Sequence, residues 1–408
     1  MNVSIFIARR YFLFGKKMSF INVISMISIM GVALFTCAIV VVLSVFNGME
    51  DIIRKLYNTF DPEIKIIPAN GKTFEKTEQL LNLIKSVEGI QVITEVIEDN
   101  VFVKYNDKND IVILKGVSEN FLQHHRIDSM IVEGKLKLHE KNIPLAIIGR
   151  GIQHKLSIAL NNRYNPLVFY YPDKDKVNKP GSLNAPYNHA SLMPTAVFGI
   201  ERQYDDNYVF APIEFTEELF NCQGLRSALE LKVKQGYKIN TVRDNLRTVL
   251  GSAFKVMNSD EQHIELLRAV MIEKFVVSLI LCFILAVASV GIYFSLTMLT
   301  IRKKKDIAIL FSLGASATVI KRIFLAEGLF IAFSGAIAGL IVGGLICWLQ
   351  QTYGFVSMGM ETSVVDAYPV KIKAEDFAAA AVVVFLLTIA ASYLPARAAA
   401  SISIKENL

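Results

Sequence analysis

The chain alternates between long apolar runs and one long polar stretch. Four runs of residues carry no charge, namely Met18–Met49, Phe275–Ile301, Gly328–Tyr353 and Phe377–Ala396. A helix needs about 20 predominantly apolar residues to cross the hydrocarbon core of a bilayer, and each run reaches that length. The pattern therefore predicts a four-span membrane protein in which a large polar insert separates the first span from the other three.

The insert has a mixed pattern of its own. Alternating apolar residues predict strands, for example at Asn100–Tyr105 and Ala228–Val233, and helical spacing predicts an amphipathic helix at Glu75–Val87. The fold class that follows is a membrane α-helical protein with four transmembrane helices, in a 1+3 arrangement, and a large α+β domain. The predicted segments are an interfacial helix at 1–19, spans at 20–46, 270–301, 323–353 and 377–396, the large domain at 47–266, loops at 302–322 and 354–376, and a tail at 397–408.

Basic residues accumulate in only some of the segments beside the spans. Residues 1–19 hold four basic residues and no acidic one, and residues 302–322 hold six basic residues against Asp306 alone. Because Lys and Arg are enriched on the cytoplasmic side of a membrane, both termini and the 302–322 loop are predicted to be cytoplasmic. The large domain and the 354–376 loop are then predicted to lie in the periplasm.

Composition and motifs argue against several functional classes. Hydrophobic residues make up 53% of the chain, a high share for a protein that also carries a large polar domain. The net charge is +6, but the basic residues lie beside the spans, and this placement argues against nucleic-acid binding. Of the four cysteines only Cys222 lies in the insert, and no Cys or His cluster has the spacing of a metal site. Gly71-Lys72-Thr73 resembles the end of a phosphate-binding loop, but Ile66 replaces the required glycine. We therefore expect no enzymatic activity, no metal and no cofactor bound by this chain.

The 302–322 loop contains a short apolar segment that should face water. Its pattern predicts a helix that ends at Gly314. One face of this helix is expected to fold back on the span ends, but five large apolar side chains exceed what one face covers, so we interpret the segment as a docking surface for a partner. A charge at Leu310 is expected to abolish that docking. The residues assigned to the surface are Asp306, Ile307, Ala308, Ile309, Leu310, Phe311, Leu313, Gly314 and Ala315.

Glycines recur at every fourth position of the third span, at Gly335, Gly339 and Gly343. Such a small-residue face lets two helices approach closely. Packing within one chain and contact between two chains both fit this pattern.

Several segments together resemble the permease subunit of the lipoprotein-releasing ABC transporters, the Lol system, within the wider FtsX/MacB superfamily. Ser44–Glu50 reads S-V-F-N-G-M-E and is similar to the S-V-M-N-G-F-E stretch of Lol permeases. Lys305–Ala315 is similar to the superfamily's coupling segment, and Tyr393–Ala399 to its Y-P-A-R-x-A ending. Ile147–Ile152 looks like a strand–helix junction of the MacB-type periplasmic domain. The resemblance covers essentially the whole chain.

The chain departs from the family pattern in three places. Phe311 stands where the family usually has Arg, so a cationic contact to the ATPase is not carried over there. Leu394 is inserted before the proline of the C-terminal motif, and Ile404 replaces a second proline. These departures concern the ATPase contact and leave the expected architecture unchanged.

The resemblance implies a machine of several parts. Two permease chains pair in the inner membrane of a Gram-negative bacterium, as a homodimer or a heterodimer, and a LolD-like ATPase dimer that uses ATP and Mg²⁺ docks on the coupling segments. Lipoprotein enters from the outer leaflet between spans one and two. ATP-driven closure then passes it to a LolA-like periplasmic chaperone by mechanotransmission.

Two candidate sites follow from the resemblance. The outer end of span one is expected to line a lipoprotein cavity, with ordinary lipid-facing surface as the alternative, through Val41, Val42, Val45, Phe46, Asn47 and Met49. The polar stretch Asp173–Pro194 is predicted to be a long loop in the position of a chaperone-binding hook, with a disordered insertion as the alternative. The hook candidates are Pro180, Leu183, Pro186, Tyr187 and Met193.

Two other permease types share parts of this pattern. A MacB-type efflux permease carries its ATPase fused at the N-terminus, whereas this chain has only about 17 residues before its first charge-free run. An FtsX-type permease, which regulates a cell-wall hydrolase, has a much smaller external domain. Both differences favour the Lol interpretation.

Overall fold

The chain divides into two units, and each is described by itself. The membrane unit comprises Met1–Ile52, Leu266–Gly359 and Val365–Leu408, and the sheet unit comprises Ile53–Glu265 with Met360–Val364. The computed structural model describes residues 6–8, 10, 20–141, 143–160, 164–173, 187–357 and 367–401.

Strands and helices are interspersed in the sheet unit, whereas the described elements of the membrane unit are helices. The helices are α1 (Phe20–Phe60), α2 (Glu78–Lys85), α3 (Arg150–Leu156), α4 (Arg202–Asp205), α5 (Ile213–Phe220), α6 (Ile239–Leu250), α7 (Ser259–Gln262), α8 (Ile264–Arg302), α9 (Lys304–Ser312), α10 (Ala317–Tyr353) and α11 (Ala374–Ala400). The strands are β1 (Ile64–Pro68), β2 (Phe74–Glu75), β3 (Ile90–Tyr105), β4 (Lys108–Val117), β5 (Ile131–Gly134), β6 (His139–Glu140), β7 (Ile143–Gly149), β8 (Leu167–Pro172), β9 (Tyr187–Phe198), β10 (Tyr208–Pro212), β11 (Leu225–Arg226), β12 (Ala228–Val233) and β13 (Phe254–Asn258).

Within the described part of the chain, four helices are long and apolar enough to cross a membrane: α1, α8, α10 and α11. They coincide with the four charge-free runs, which confirms the predicted 1+3 arrangement. The first of them, α1, has 41 residues and is therefore about 60 Å long, twice the ~30 Å of the hydrocarbon core. It exceeds the apolar run because the helical pattern of Glu50–Phe60 continues without a break until Pro62.

The glycine face of α10 packs against α1 of the same chain. A Cβ atom on Gly335 would lie 2.8 Å from the carbonyl oxygen of Ile29, and one on Gly343 would lie 3.1 Å from that of Cys37. A Cβ on Gly339 would overlap the carbonyl oxygen of Ala33. The two backbones therefore approach too closely for any side chain. Of the two interpretations that the sequence left open, packing within one chain is the one observed.

Eleven strands of the sheet unit form one mixed sheet. β13, β1, β12, β3 and β4 follow one another with antiparallel pairing, and β4 then pairs in parallel with β10. β10 pairs antiparallel with β7, and β7 pairs in parallel with β9. The 16-residue β3 pairs with β12, β4 and β8 along its length, so one strand joins both halves of the sheet. The expected α+β class is confirmed.

Amphipathic helices cover the sheet. Leu80 and Ile84 of α2 and Leu246 of α6 pack with Ile64 and Ile66 of β1 in one apolar cluster. α2 is capped at its N-terminus by Thr77, whose hydroxyl accepts the N–H of Leu80 at 3.2 Å. The helices thus bury one stripe each against the sheet.

The predicted loop at Asp173–Pro194 is wrong in its last third, which belongs to β9. This strand pairs antiparallel with β8. The polar residues that suggested a loop, such as His189 and Ser191, lie on the exposed face of the strand, while Leu192 is buried. Pro194 is tolerated because the pairing of β9 with β7 shifts register beside it.

Charged residues are buried together in the core of the sheet unit. Glu230 of β12 is fully buried, its Oε1 lies 2.6 Å from Lys115 Nζ, and its Oε2 pairs with Arg126. Burial favours the neutral acid, but these two cations outweigh it and hold the pKa of Glu230 below its usual range. Arg126 also donates to the carbonyl of Phe60 at 3.0 Å, which satisfies an otherwise unpaired carbonyl at the end of α1.

Acidification is expected to destabilise this core through His124. The side chain is 5% exposed, and its Nε2 lies 2.7 Å from Thr94 Oγ1. Burial, and then the nearby Arg126, lower the pKa of His124 to about 3. The unfolded chain binds this proton at about pH 6.5, so stability is fully present above that pH and is lost as the pH falls towards about 3. At pH 5 the loss amounts to about 2 kcal/mol.

Thermal unfolding of the full-length protein in detergent at pH 7 and pH 5 checks this expectation. His124→Gln removes the titrating group while an amide remains to contact Thr94. The melting temperature of the wild-type protein is expected to fall further between the two pH values than that of the variant. Equal falls in both proteins would assign the acid sensitivity to other groups.

Candidate functional site

The predicted docking segment forms the short helix α9, between α8 and α10. Lys303 precedes it and pairs with Asp306 in its first turn at 2.7 Å. Gly314 follows it with φ at +89°, a left-handed conformation that glycine adopts without strain. The N–H of Ala315 donates to the carbonyl of Leu310 at 3.0 Å, which closes the turn.

One face of α9 is buried in the membrane unit. Ile307 and Ala308 are buried in an apolar cluster, and Leu310, Phe311 and Ala315 pack at its edge. The remaining buried members of this cluster are Ala8, Leu299, Ile320, Ile323, Phe324, Ala396 and Ala399. The expected fold-back against the span ends therefore covers this face.

The other face of α9 is exposed, and two large apolar side chains lie there among polar ones. Ile309 is 50% exposed and Leu313 is 79% exposed. Leu310, whose substitution was expected to break docking, contributes to the buried cluster instead, so a charge there would also disturb the fold. Substitutions at Ile309 and Leu313 therefore test docking separately from folding. We name these two residues the α9 surface.

A polar junction lies at the far end of the first apolar run, around Asn47. This side chain is 1% exposed. Its Oδ1 accepts Lys274 Nζ of α8 at 2.7 Å, and its Nδ2 donates to Asp376 of α11. Lys274 and Asp376 also lie 4.0 Å apart. One amide thus joins three of the four long helices.

The segment before α11 lies directly on α1. The N–H of Lys371 donates to the carbonyl of Ser44 at 2.9 Å, and its ammonium pairs with Asp51. A Cβ on Gly48 would lie 2.7 Å from the backbone nitrogen of Val370, so only glycine fits there. The Ser44–Glu50 stretch of α1 therefore contacts the segment that precedes α11 and holds it in place. Sequence reasoning did not identify Lys274, Lys371 or Asp376, although charges at span ends are a recognisable signal.

An apolar cavity of about 450 Å³ lies beside this junction. Two of the six predicted cavity residues, Val41 and Val45, line it. Val42, Phe46 and Met49 are half-buried elsewhere on α1, and Asn47 belongs to the junction. The other lining residues come from α10 and from the backbone between α10 and α11: Ile346, Cys347, Leu349, Gln350, Phe355, Val356, Tyr368 and Val370.

The hook candidates fall into two groups. Pro180, Leu183 and Pro186 lie outside the described residues. Tyr187 begins β9 and is 51% exposed, whereas Met193 is half-buried within the sheet. Met193 is therefore placed by strand pairing and does not offer a free anchor in a loop.

Known proteins resemble this chain at two levels, one within its C-terminal part and one over nearly its whole length. Residues 278–404 match the family described as FtsX-like permease C-terminal. The chain is 24% identical to the lipoprotein-releasing system transmembrane protein LolC of Neisseria meningitidis, and 22% identical to LolE of Haemophilus influenzae, over 98% of both chains in each case. It is also 24% identical to an uncharacterized ABC transporter permease of Methanocaldococcus jannaschii, over 94% of this chain and 93% of that one.

Two solved structures resemble part of the chain. The periplasmic region of MacB from Actinobacillus actinomycetemcomitans matches with 14% identity and a TM-score of 0.35, over 50% of this chain and 92% of that one. The extracellular domain of the ABC-type transporter YknZ matches with 14% identity and a TM-score of 0.31, over 48% of this chain and 99% of that one. The α9 surface lies within the stretch that matches the permease family.

Proposed function

Because this chain is an ABC transporter permease with an FtsX-like C-terminal domain, we propose that it is the membrane subunit of a transporter that releases lipoproteins from the inner membrane. The observation that carries the proposal is the exposed α9 surface, in a chain similar over 98% of its length to LolC and LolE. An apolar face that the fold itself does not cover is typical of a site for a partner.

The partner proposed for the α9 surface is a separate, LolD-like ATPase dimer. In this proposal the partner, and not this chain, binds and hydrolyses ATP with Mg²⁺. Leu313 and Ile309 enter an apolar groove of the ATPase, and the buried face with Ile307 and Ala308 passes its movement to α8, α10 and α11. Two permease chains, alike or different, take part in the complex.

The substrate proposed for the outer end of the bundle is the acylated end of a lipoprotein. Each buried CH₂ of an acyl chain contributes about 0.8 kcal/mol, so release of a multiply acylated anchor into water costs tens of kcal/mol. The anchor must therefore pass from the membrane into another apolar cavity, which is what a LolA-like periplasmic chaperone offers. Val41 and Val45 line an apolar cavity on the route from the outer leaflet.

The orientation proposed for the chain places α9 and both termini in the cytoplasm and the sheet unit in the periplasm. The support is the excess of basic residues at 302–322 and at the N-terminus. In this orientation we assign the binding of the chaperone to residues 174–186, which precede β9 in the sequence.

Reconstitution with the ATPase tests the proposal. The full chain, co-purified with its ATPase and inserted in proteoliposomes with a triacylated lipoprotein, is expected to transfer that lipoprotein to added chaperone only when ATP is present. Replacing residues 174–186 by a short Gly/Ser linker leaves β9 intact and is expected to keep ATP hydrolysis but abolish transfer. If transfer by this variant matches the wild-type rate, the segment is not the hook; if the wild-type complex releases no lipoprotein, the substrate class is wrong.

A further inference from the structure

A carboxyl group that neither site described above includes is buried inside the helical bundle. Glu327 of α10 is 6% exposed, and its Oε2 atom has no hydrogen-bond partner among the described residues. The hydroxyl of Ser392 on α11 is likewise without one in the described part of the chain. An ionisable residue inside a membrane span is costly, and proteins retain such residues where they pair or act.

Glu327 lies one turn beyond the apolar cluster that covers α9. Phe324 and Ile323, in the preceding turn of α10, belong to that cluster together with Ile307 of α9. The next residue, Gly328, packs against Ser392 of α11 and against Leu296 of α8, whose Cδ1 would lie 3.1 Å from an added Cβ. Glu327 is thus buried on α10 beside the contact of this helix with α8 and α11, one turn from the layer on which α9 rests.

Lys303 connects this carboxyl with α9. It is the residue between α8 and α9, and among the described charges it is the one that acts electrostatically on Glu327. In the observed structure its ammonium lies 2.7 Å from Asp306, in the first turn of α9. Lys303 therefore interacts with two acidic side chains, Asp306, half-exposed on α9, and Glu327, buried on α10.

We propose that Glu327 is a positioning residue for coupling, which receives Lys303 from Asp306 when a partner displaces α9. In the observed arrangement the buried Oε2 atom of Glu327 has no hydrogen-bond partner among the described residues, which disfavours this state, and a shift of α9 that delivers Lys303 removes that cost. Because Lys303 pairs either with Asp306 or with Glu327, α9 has two alternative positions. A small movement at the α9 surface is therefore passed to α10. This inference rests on the proposed docking of an ATPase at the α9 surface.

The test uses the complex of the full chain with its ATPase. Glu327→Gln keeps the shape of the side chain and removes its ability to ionise, and Lys303→Met removes the other member of the pair. Each is expected to lower substrate-dependent ATP hydrolysis about tenfold, within the range typical of coupling between sites. The double variant is expected to be no slower than either single variant, because both remove the same interaction. Ser392→Ala, a neighbouring change without charge, is expected to leave the rate unchanged.

Thermal stability separates coupling from folding. Glu327→Gln replaces a buried carboxyl group, whose Oε2 has no hydrogen-bond partner among the described residues, by an amide of the same shape, so its melting temperature in detergent is expected to equal or exceed that of the wild type. A lower melting temperature with a lost rate would assign Glu327 a structural role and overturn the inference. A wild-type rate of ATP hydrolysis in Glu327→Gln would also overturn the inference. The same holds if the rate losses of the two single variants multiply in the double variant. If the wild-type chain binds no ATPase, the proposed function fails and the inference fails with it, whereas a coupled wild type with unaffected variants refutes the inference alone.

Discussion

Leu313→Asp is expected to leave the permease folded and in the membrane but to abolish its complex with the ATPase. The side chain is 79% exposed, so the substitution costs the isolated chain little. In the complex the carboxylate enters an apolar contact and loses its hydration without a compensating partner, which costs several kcal/mol. Affinity is expected to fall by at least about a hundredfold. Co-purification of the ATPase with tagged permease measures the effect.

A matched control is available in the sheet unit. Leu83 of α2 is 48% exposed, and Leu83→Asp makes the same chemical change far from α9 in sequence. This variant is expected to retain the ATPase at the wild-type yield. Retention by both variants would show that the α9 surface does not carry the docking.

Gly339→Leu is expected to prevent normal assembly of the helical bundle. An added Cβ meets the backbone carbonyl of Ala33, and neither backbone relaxes without separating α10 from α1 along the whole glycine face. Overpacking of a well-packed core costs about 1–3 kcal/mol where side chains yield, and a clash between backbones costs more. We expect little monodisperse protein after extraction, as judged by size-exclusion chromatography, and a clearly lowered melting temperature in what remains.

The control for this prediction is another glycine in a span. Gly31 of α1 has nothing within 4 Å of an added Cβ, so Gly31→Leu adds the same atoms to open space. Its yield and melting temperature are expected to match those of the wild type. Similar losses in both variants would point to a general intolerance of bulk in these helices and not to the α1–α10 contact.

The sequence predicted those features that depend on local pattern. Charge-free runs identified all four spans because the bilayer imposes a length that few soluble segments reach. Spacing identified the glycine face on α10, but its partner, α1, is distant in sequence, so periodicity alone left the contact undecided. The residues of α9 were predicted as a set, whereas the division into a buried Ile307 and an exposed Leu313 depends on how the helix packs.

Other features depended on tertiary pairing. β3 is continuous through Glu98 and Asp99, which interrupt the apolar pattern, because three strands pair along it. The end of the predicted hook loop is part of β9. Its polar residues fit a strand because they share one exposed face, while the residues between them face the other side of the sheet. The contact of Asn47 with Lys274 spans 227 positions of sequence, and no local pattern relates two such residues.

The polar junction also bears on the chemical lifetime of the protein. Asn-Gly is a sequence prone to deamidation, in which the following backbone nitrogen attacks the side-chain amide. At Asn47-Gly48 the helix engages that nitrogen in its own hydrogen bond, and the backbone at Val370 packs against the glycine, so the attacking geometry is blocked. Deamidation would replace the donor that faces Asp376 by a second carboxylate and set two like charges against each other. The packing that joins three helices thereby protects the amide on which it depends.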